Sequence, residues 1–237
     1  MNPQPEARIA VIIPALNEQE AIGRVIGDLP DSLIREIIVV DNGSTDDTAG
    51  CAHAAGARVV REERRGYGQA CLTGIAALSD EIQIVAFIDG DYSDDPTQFS
   101  HIVAPLLAGD ADLVIGSRVL GEREAGALMP QQRFGNALAT LLIRWLYGVR
   151  YTDLGPFRAI GRCALERIAM EDRDFGWTVE MQVKAAAVGL RSVEVPVRYR
   201  RRYAGTSKVT GTISGSFRAG VKILSTIFRH ARGARAS

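Results

Sequence analysis

An α/β fold is what this sequence predicts: a single domain built on a mostly parallel, Rossmann-like sheet with helices on both faces. Short apolar runs of strand length alternate with helix-length segments through the first half of the chain. Three of those runs end abruptly in polar clusters, as strands do where they leave a sheet at its ligand-binding edge. The 237 residues suffice for one large domain of this kind.

Taken in order, Ile9–Ile13 is an apolar strand that Pro14 should stop, and Asn17–Leu29 reads as a helix. Ile37–Val40 is a second strand, ending in Asp41-Asn42-Gly43-Ser44-Thr45-Asp46, where Asp46 can cap the next helix. Arg58–Val60 is a short third strand and Tyr67–Leu78 a helix. Ile82–Ile88 is a buried fourth strand leading into Asp89-Gly90-Asp91. Thr97–Leu107 is helical and Leu113–Ile115 a fifth strand. Leu120–Met129, with two glycines, reads as a flexible loop. In the helix that follows, Phe134, Leu138, Leu141, Leu142 and Trp145 share one face. Phe157–Ile160 can form a strand, Gly176–Ala187 a helix and Val193–Tyr199 a strand. Arg200–Lys208 is a basic loop. The pattern assigns residues 1–210 to the domain and residues 211–237 to a terminal amphipathic helix and tail. Ile213, Phe217, Val221, Leu224 and Phe228 form its apolar stripe, and Arg218, Lys222 and Arg229 lie beside them.

Bulk composition narrows the function. Apolar content of 46% and charged content of 24% are those of a soluble globular protein. The 28 basic and 28 acidic residues balance, which argues against a nucleic-acid binder. The balance is uneven along the chain: from Arg191 onward eleven basic residues face Glu194 alone. That bias suits an anionic ligand or an anionic membrane surface. Three scattered cysteines, Cys51, Cys71 and Cys163, fit reduced thiols in the cytoplasm, with no zinc spacing. His53, His101 and His230 share no ligand spacing. No leader pattern opens the chain and no apolar run reaches transmembrane length.

Asp89 and Asp91 carry the strongest chemical signal. Two carboxylates two residues apart, just past a strand, suit Mg²⁺ or Mn²⁺ when substrate phosphates complete the shell. Gly90 between them leaves room for close approach to the backbone. Pro14–Glu18 and Asp41–Asp46 should gather on the same edge, together forming a nucleotide site.

The segments VIIPALNE (11–18), IIVVDNGSTDDT (37–48), GYGQACLTGI (66–75), FIDGDYSDDP (87–96), GSR (116–118), TDLGPFRAI (152–160) and VEVPVRYRRRYAGTSK (193–208) occur in the order seen in family-2 glycosyltransferases of the GT-A fold. The chain resembles these enzymes from residue 9 to 208, and most of all the polyprenyl-phosphate sugar synthases of the dolichol-phosphate mannose synthase type. The resemblance implies that Pro14, Leu16 and Glu18 line the base pocket and that Val39 and Asp41 hold base and ribose. It implies that Asp89 and Asp91 hold the metal on the donor diphosphate beside the Gly90 backbone. Arg118, Arg202 and Lys208 would meet phosphate, and Asp153 would lie at the acceptor as base or orienter. Glu180 falls where the family has a helix acid near the site, Trp177 is a core or rim tryptophan, and Arg133 and Asn136 can face an acceptor phosphate. Pro156, between Gly155 and Phe157, departs from the commoner Gly-Phe-Arg form.

The activity implied is inverting transfer of a hexose from UDP-glucose or GDP-mannose to a polyprenyl or dolichyl phosphate. The enzyme would be cytoplasmic, peripheral at the inner face of a membrane, and open to forming a homo-oligomer. The end of the chain at Ser237 sets it apart from synthases with C-terminal membrane spans. A soluble transferase acting on a saccharide or small-molecule hydroxyl stays open as an alternative, as does a non-catalytic nucleotide-binding domain of the same fold. A nucleotidyltransferase fits less well, because Pro14–Glu18 is not a glycine-rich basic loop.

Overall fold

The computed structural model describes residues 8–205 and 213–234. Seven strands form one sheet in the order β3-β2-β1-β4-β6-β5-β7. They are β1 (Ile9–Ala15), β2 (Ile34–Asp41), β3 (Arg58–Arg61), β4 (Ile84–Phe87), β5 (Leu113–Ser117), β6 (Arg158–Gly161) and β7 (Ser192–Pro196). Only β6 is antiparallel to its neighbours, and it runs between β4 and β5. The helices are α1 (Ile22–Gly27), α2 (Thr48–Ala54), α3 (Tyr67–Ala76), α4 (Phe99–Leu107), α5 (Pro130–Tyr147), α6 (Arg162–Ile168), α7 (Trp177–Ala187) and α8 (Ile213–Ala234). None of the described helices is long and apolar enough to cross a membrane.

Strand alternation splits the core in two. Ala10, Ile12, Ile38 and Val40 face α3 and α5–α8 on one side of the sheet. Ile9, Val11, Ile13 and Val39 face α1, α2 and α4 on the other. Trp177 anchors the first side, fully buried and edge-on to Phe87 at 5.8 Å between ring centroids. At Gly74 an added Cβ would stand 2.5 Å from the Ile12 side chain, so glycine lets α3 press onto β1.

Several boundaries differ from the sequence expectation, each for a local reason. Pro14 does not stop β1. The Ile12 carbonyl bonds the β4 side through Ile88, and Pro14 turns the same way where β4 has already ended, so its missing N–H breaks no ladder bond. The first helix starts at Ile22, not Asn17. Asn17 has φ +54°, and the amides of Asn17 and Glu18 donate to Ser44 Oγ and Thr48 Oγ1 at 3.0 and 2.8 Å, which takes them out of helical register. The N-cap of α2 is Asp47 and not Asp46, although Asp46, one residue earlier, accepts the Thr48 amide at 3.1 Å. Helix α6 has no counterpart in the sequence reading.

The largest difference concerns α5. Its buried residues are Ala139, Thr140 and Ile143. Phe134, Leu141 and Trp145, which the periodicity groups as one apolar face, are 72%, 60% and 73% exposed. Helix α8 packs on α5 and α7 through Thr226 and Ile227, while Val221 and Phe228 of its predicted stripe stay half exposed. Lys222 points inward and pairs with Asp172 at 2.9 Å.

Trp177→Ala should cost about 3–5 kcal/mol, the usual range for emptying a buried tryptophan site. Urea unfolding reads this directly, and an unchanged midpoint would mean that Trp177 does not anchor the core.

Candidate active site

The order of the sheet reverses at β1: the chain passes from β1 outward to β2 and β3, then returns to β4 on the other side. Ligands of open α/β sheets bind at such a switch point, beyond the carboxyl ends of the strands. The segments after β1, β2 and β4 meet there. Asn17 Oδ1 accepts the Thr45 amide at 2.8 Å. Asp41 Oδ1 accepts the Ser44 amide at 2.9 Å. Asn42 donates to the Glu62 and Arg64 carbonyls and accepts the Gly66 amide, so the loop after β3 joins the same edge.

Asp89 and Asp91 follow β4 at the centre of this edge. Burial, and then the Asp91 carboxylate, push Asp89 up to about 7, against a hydrogen bond from Tyr67 and the pull of Arg202 and Arg118. Two carboxylates that resist joint ionisation favour a cation between them. The Tyr67 hydroxyl donates to Asp89 Oδ1 at 2.9 Å. Ser93 donates its amide and its hydroxyl to Asp91 Oδ1 at 2.9 and 2.5 Å. Arg202 bridges the remaining Asp91 oxygen, at 2.6 Å, and Glu18. The donor set is therefore two oriented carboxylates at a phosphate-accessible edge, which fits Mg²⁺ or Mn²⁺ sharing its shell with substrate oxygens. Among the described residues, no group of three or more metal-ligating side chains gathers at this edge or elsewhere, so the pair needs substrate oxygens to complete a metal's shell.

The segment after β7 is stitched over the pair. The Arg200 amide donates to the Ser93 carbonyl at 2.7 Å and the Tyr203 amide to the Asp91 carbonyl at 3.1 Å. Arg200 grips Asp95 at 2.6 Å and lies over the Tyr92 ring, and Arg201 turns away to the Ala125 carbonyl. Of the three consecutive arginines, only Arg202 reaches the carboxylate pair. Lys208 lies outside the described residues.

A second ion pair sits beside the first. Arg118, past the end of β5, meets Asp153 with Nε and Nη2 at 2.7 and 2.8 Å, and its amide adds a bond of 2.8 Å. Burial raises the Asp153 carboxyl, but the guanidinium and these hydrogen bonds outweigh it and hold the group below the usual range. Its side chain has no exposure, and both oxygens are engaged. The Arg118 guanidinium also stands 5.0 Å over the Tyr199 ring.

Some expected residues are absent from this surface. Val39 is fully buried in the apolar core two residues short of the end of β2, so its side chain offers a nucleotide nothing, and Asp41 alone reaches the edge. A Cβ on Gly90 would touch Ile22, Ile13 and Ala15 at ordinary distance, so a side chain at this position would face the core. Pro14 and Leu16 are partly exposed at the end of β1 beside the buried Glu18. Glu180 serves at one remove: it accepts the Glu171 and Asp172 amides and pairs with Lys184. The loop it holds packs against the first turn of α3, where a Cβ on Gly68 would stand 2.1 Å from the Asp172 carbonyl oxygen.

Four residues of the site carry no clear sequence signal. Tyr67 orients Asp89. Glu194, the lone acid of the basic C-terminal stretch, accepts the Thr152 and Asp153 amides and fixes the turn that presents Asp153. Arg158 is fully buried, binds the Gly155 and Thr178 carbonyls, and is lowered to about 10 by burial. Asp94 is 1% exposed and both its oxygens lack a hydrogen-bond partner among the described residues. Burial and the nearby Asp89 push it well above the carboxylate range.

A cleft of about 480 Å³ is lined by Val119 and Thr152, the chain neighbours of Arg118 and Asp153. Within that lining, the Thr152 carbonyl accepts from Asn136 Nδ2 of α5 at 2.9 Å, while Asn136 Oδ1 receives the Leu154 amide. Arg123, Arg133, Arg144 and Arg150 line the cleft too, with no carboxylate.

Residues 10–169 match the family described as glycosyl transferase family 2. An uncharacterized glycosyltransferase of Mycobacterium tuberculosis is 40% identical over 209 residues, spanning 88% of this chain and 92% of that protein. The undecaprenyl-phosphate mannosyltransferase of Micrococcus luteus is 29% identical over 220 residues, 88% of this chain and 90% of that one. Among solved structures, glucosyl-3-phosphoglycerate synthase from M. tuberculosis with Mn²⁺, UDP and glucosyl-3-phosphoglycerate superposes with a TM-score of 0.71 at 28% identity. The match covers 93% of this chain and 80% of that one. The same synthase has been solved with Mg²⁺ and UDP.

Asp94 gives a prediction that needs no substrate. Its proton is favoured in the folded chain and lost from the unfolded chain above about pH 3.9. Its contribution to stability therefore declines as pH rises from that value towards the raised folded pKa. Asp94→Asn, neutral throughout, should gain melting temperature relative to the native protein between pH 4.5 and 7 in chelator-treated buffer. A pH-independent difference would mean that Asp94 is charged in the fold.

Proposed function

The chain belongs to glycosyl transferase family 2, and on that premise we propose that it transfers a hexose from a nucleoside-diphosphate sugar to a polyprenyl phosphate, with inversion at the anomeric carbon. Asp41 and Glu18, with Pro14 and Leu16, border the nucleotide. Asp89 and Asp91 hold Mg²⁺ or Mn²⁺, the ions found with UDP in the M. tuberculosis synthase. Bound there, the metal supplies Lewis-acid stabilisation of the departing diphosphate. Arg202 already stands between Glu18 and Asp91, so a diphosphate seated at this edge meets its guanidinium, and its fixed charge favours the growing negative charge on the leaving oxygen. Lys208, six residues further along the same segment, is proposed to join it.

One observation carries the choice of acceptor: a cleft lined by four arginines and no carboxylate includes Thr152, whose chain neighbour Asp153 is fully engaged by Arg118. Asp153 cannot take a proton while Arg118 and two backbone amides hold both oxygens. It is a positioning residue that aims Arg118. Burial and the nearby Asp89 favour the protonated form of Asp94. A hydroxyl acceptor needs a base near its oxygen, whereas a phosphate acceptor is ionised at neutral pH and needs cations to hold it. Four arginines supply them. The Micrococcus relative, by its name, acts on undecaprenyl phosphate.

A second reading is a small phosphorylated acid as acceptor, since the M. tuberculosis synthase is solved with phosphoglyceric acid. A donor screen with Mn²⁺ separates them: a short-chain polyprenyl phosphate or phosphoglycerate is supplied with UDP-glucose or GDP-mannose, and released nucleotide is read. Release with phosphoglycerate alone would overturn the lipid reading. An intact carboxylate pair, oriented by Tyr67 and Ser93, speaks against a non-catalytic domain.

Asp91→Asn should keep the fold and lower kcat roughly 10²–10³-fold, the scale of several kcal/mol of lost Lewis-acid stabilisation. Native circular dichroism with full turnover after chelation would refute the metal role. Tyr67→Phe should weaken metal activation about 10–100-fold, as losing a partner of a metal ligand does, with melting temperature little changed. The metal dependence of initial rates distinguishes this from a simple packing defect.

A further inference from the structure

The outer face of α5 runs against the rule that a helix hides its apolar side. Phe134, Leu141 and Trp145 are spaced seven and four residues apart and lie on one line, all more than half exposed. The buried side uses Ala139, Thr140 and Ile143. An apolar stripe that the domain does not cover marks an interaction surface.

Charge defines its occupant. Arg133 and Arg144 flank the stripe one helix position round from Phe134 and Trp145. Arg123 and Arg150 continue the basic edge across the cleft. None of these four arginines pairs with a carboxylate among the described residues, whereas Arg118, Arg198, Arg200 and Arg202 each do. We propose that this face of α5 seats on an anionic lipid surface, apolar side chains among the acyl chains and arginines at the headgroups. A helix with a bulky apolar face flanked by basic residues has the composition of an interfacial helix. Trp145 suits the boundary, since its ring is apolar and its N–H seeks a polar partner. A second copy of the chain is a poorer occupant, because two-fold pairing of the stripe would bring its flanking arginines towards those of the partner. Val221 and Phe228 of α8, which packs beside α5, are half exposed as well.

The seat has a consequence for the reaction, which rests on the lipid-phosphate reading above. The cleft is lined by Leu141 of the stripe and by Thr152, whose chain neighbour Asp153 pairs with Arg118. A phosphate carried by a lipid can enter it without leaving the membrane surface.

The test uses the full chain and vesicles of phosphatidylcholine with or without phosphatidylglycerol. The chain has two tryptophans, and Trp177 is sealed in the core, so a change in emission reports Trp145. A blue shift and co-sedimentation with phosphatidylglycerol vesicles are expected at low salt, reversed at about 1 M salt, where the Debye length falls to about 3 Å. Phosphatidylcholine alone should give neither. Phe134→Ser combined with Trp145→Ser should lower vesicle affinity at least tenfold, with circular dichroism and thermal protection by UDP unchanged. Equal binding to neutral vesicles, binding that survives the double change, or a stable dimer in light scattering that shields Trp145 would each overturn the proposal. Transfer to a water-soluble short-chain polyprenyl phosphate separates the two readings. Transfer without vesicle binding defeats the lipid seat alone, and vesicle binding without transfer defeats the acceptor assignment alone.

Discussion

Asp89, Asp91, Asp94 and Asp153 are gathered at one edge of the sheet in partly or fully dehydrated surroundings, and their repulsion is the constraint that the site must meet. Charged carboxylates are not buried together unless cations or protons neutralise them. Here each has its own solution. Asp153 takes Arg118 in a two-pronged pair. Asp91 shares Arg202 with Glu18. Asp94 has no hydrogen-bond partner among the described residues, and protonation is favoured there. Asp89, pushed up by burial and then by Asp91, holds its charge more readily beside a further cation. The same arrangement that makes the edge unstable without counter-ions makes it receptive to a metal and a diphosphate.

The rest of the architecture fixes these groups in place. β6 runs between β4 and β5 and brings the turn 152–157 back beside the end of β5, where Arg118 waits. Glu194 on β7 clamps that turn through its amides, and the same strand leads into the Arg198–Arg202 segment that covers Asp91 and Ser93. A strand that contributes no ligand thus positions both ion pairs. On the opposite side, Glu180 shapes the loop that supports the start of α3, and the first residue of α3 is Tyr67, the partner of Asp89.

The arginines divide into two populations with different work. Those near the carboxylates are paired, and their charge is consumed in holding the site together. Those around the α5 cleft are free of carboxylates among the described residues, and their charge is directed outward. This division places donor chemistry and acceptor capture on adjoining surfaces, joined by Asn136, which contacts Thr152 and Leu154 from α5.

The sequence by itself determined the parallel α/β sheet, because apolar runs and their polar endings are local properties of the chain. It also determined Asp89, Asp91, Asp41 and Glu18 as edge residues, since each follows a strand by a fixed short distance. It gave no access to partners distant along the chain. Tyr67 with Asp89, Glu194 with Thr152, and an Asp94 without a hydrogen-bond partner among the described residues exist only once β4, β7 and α3 are packed. Periodicity identified a stripe on α5 but not its direction, for a helix looks equally amphipathic whether its apolar face meets a core or water. Val39 and Gly90 show the converse: neighbours of real edge residues, they point into the core because strand alternation and the turn after β4 aim them there. Which side chains face one another is a property of tertiary packing, and it was decided there.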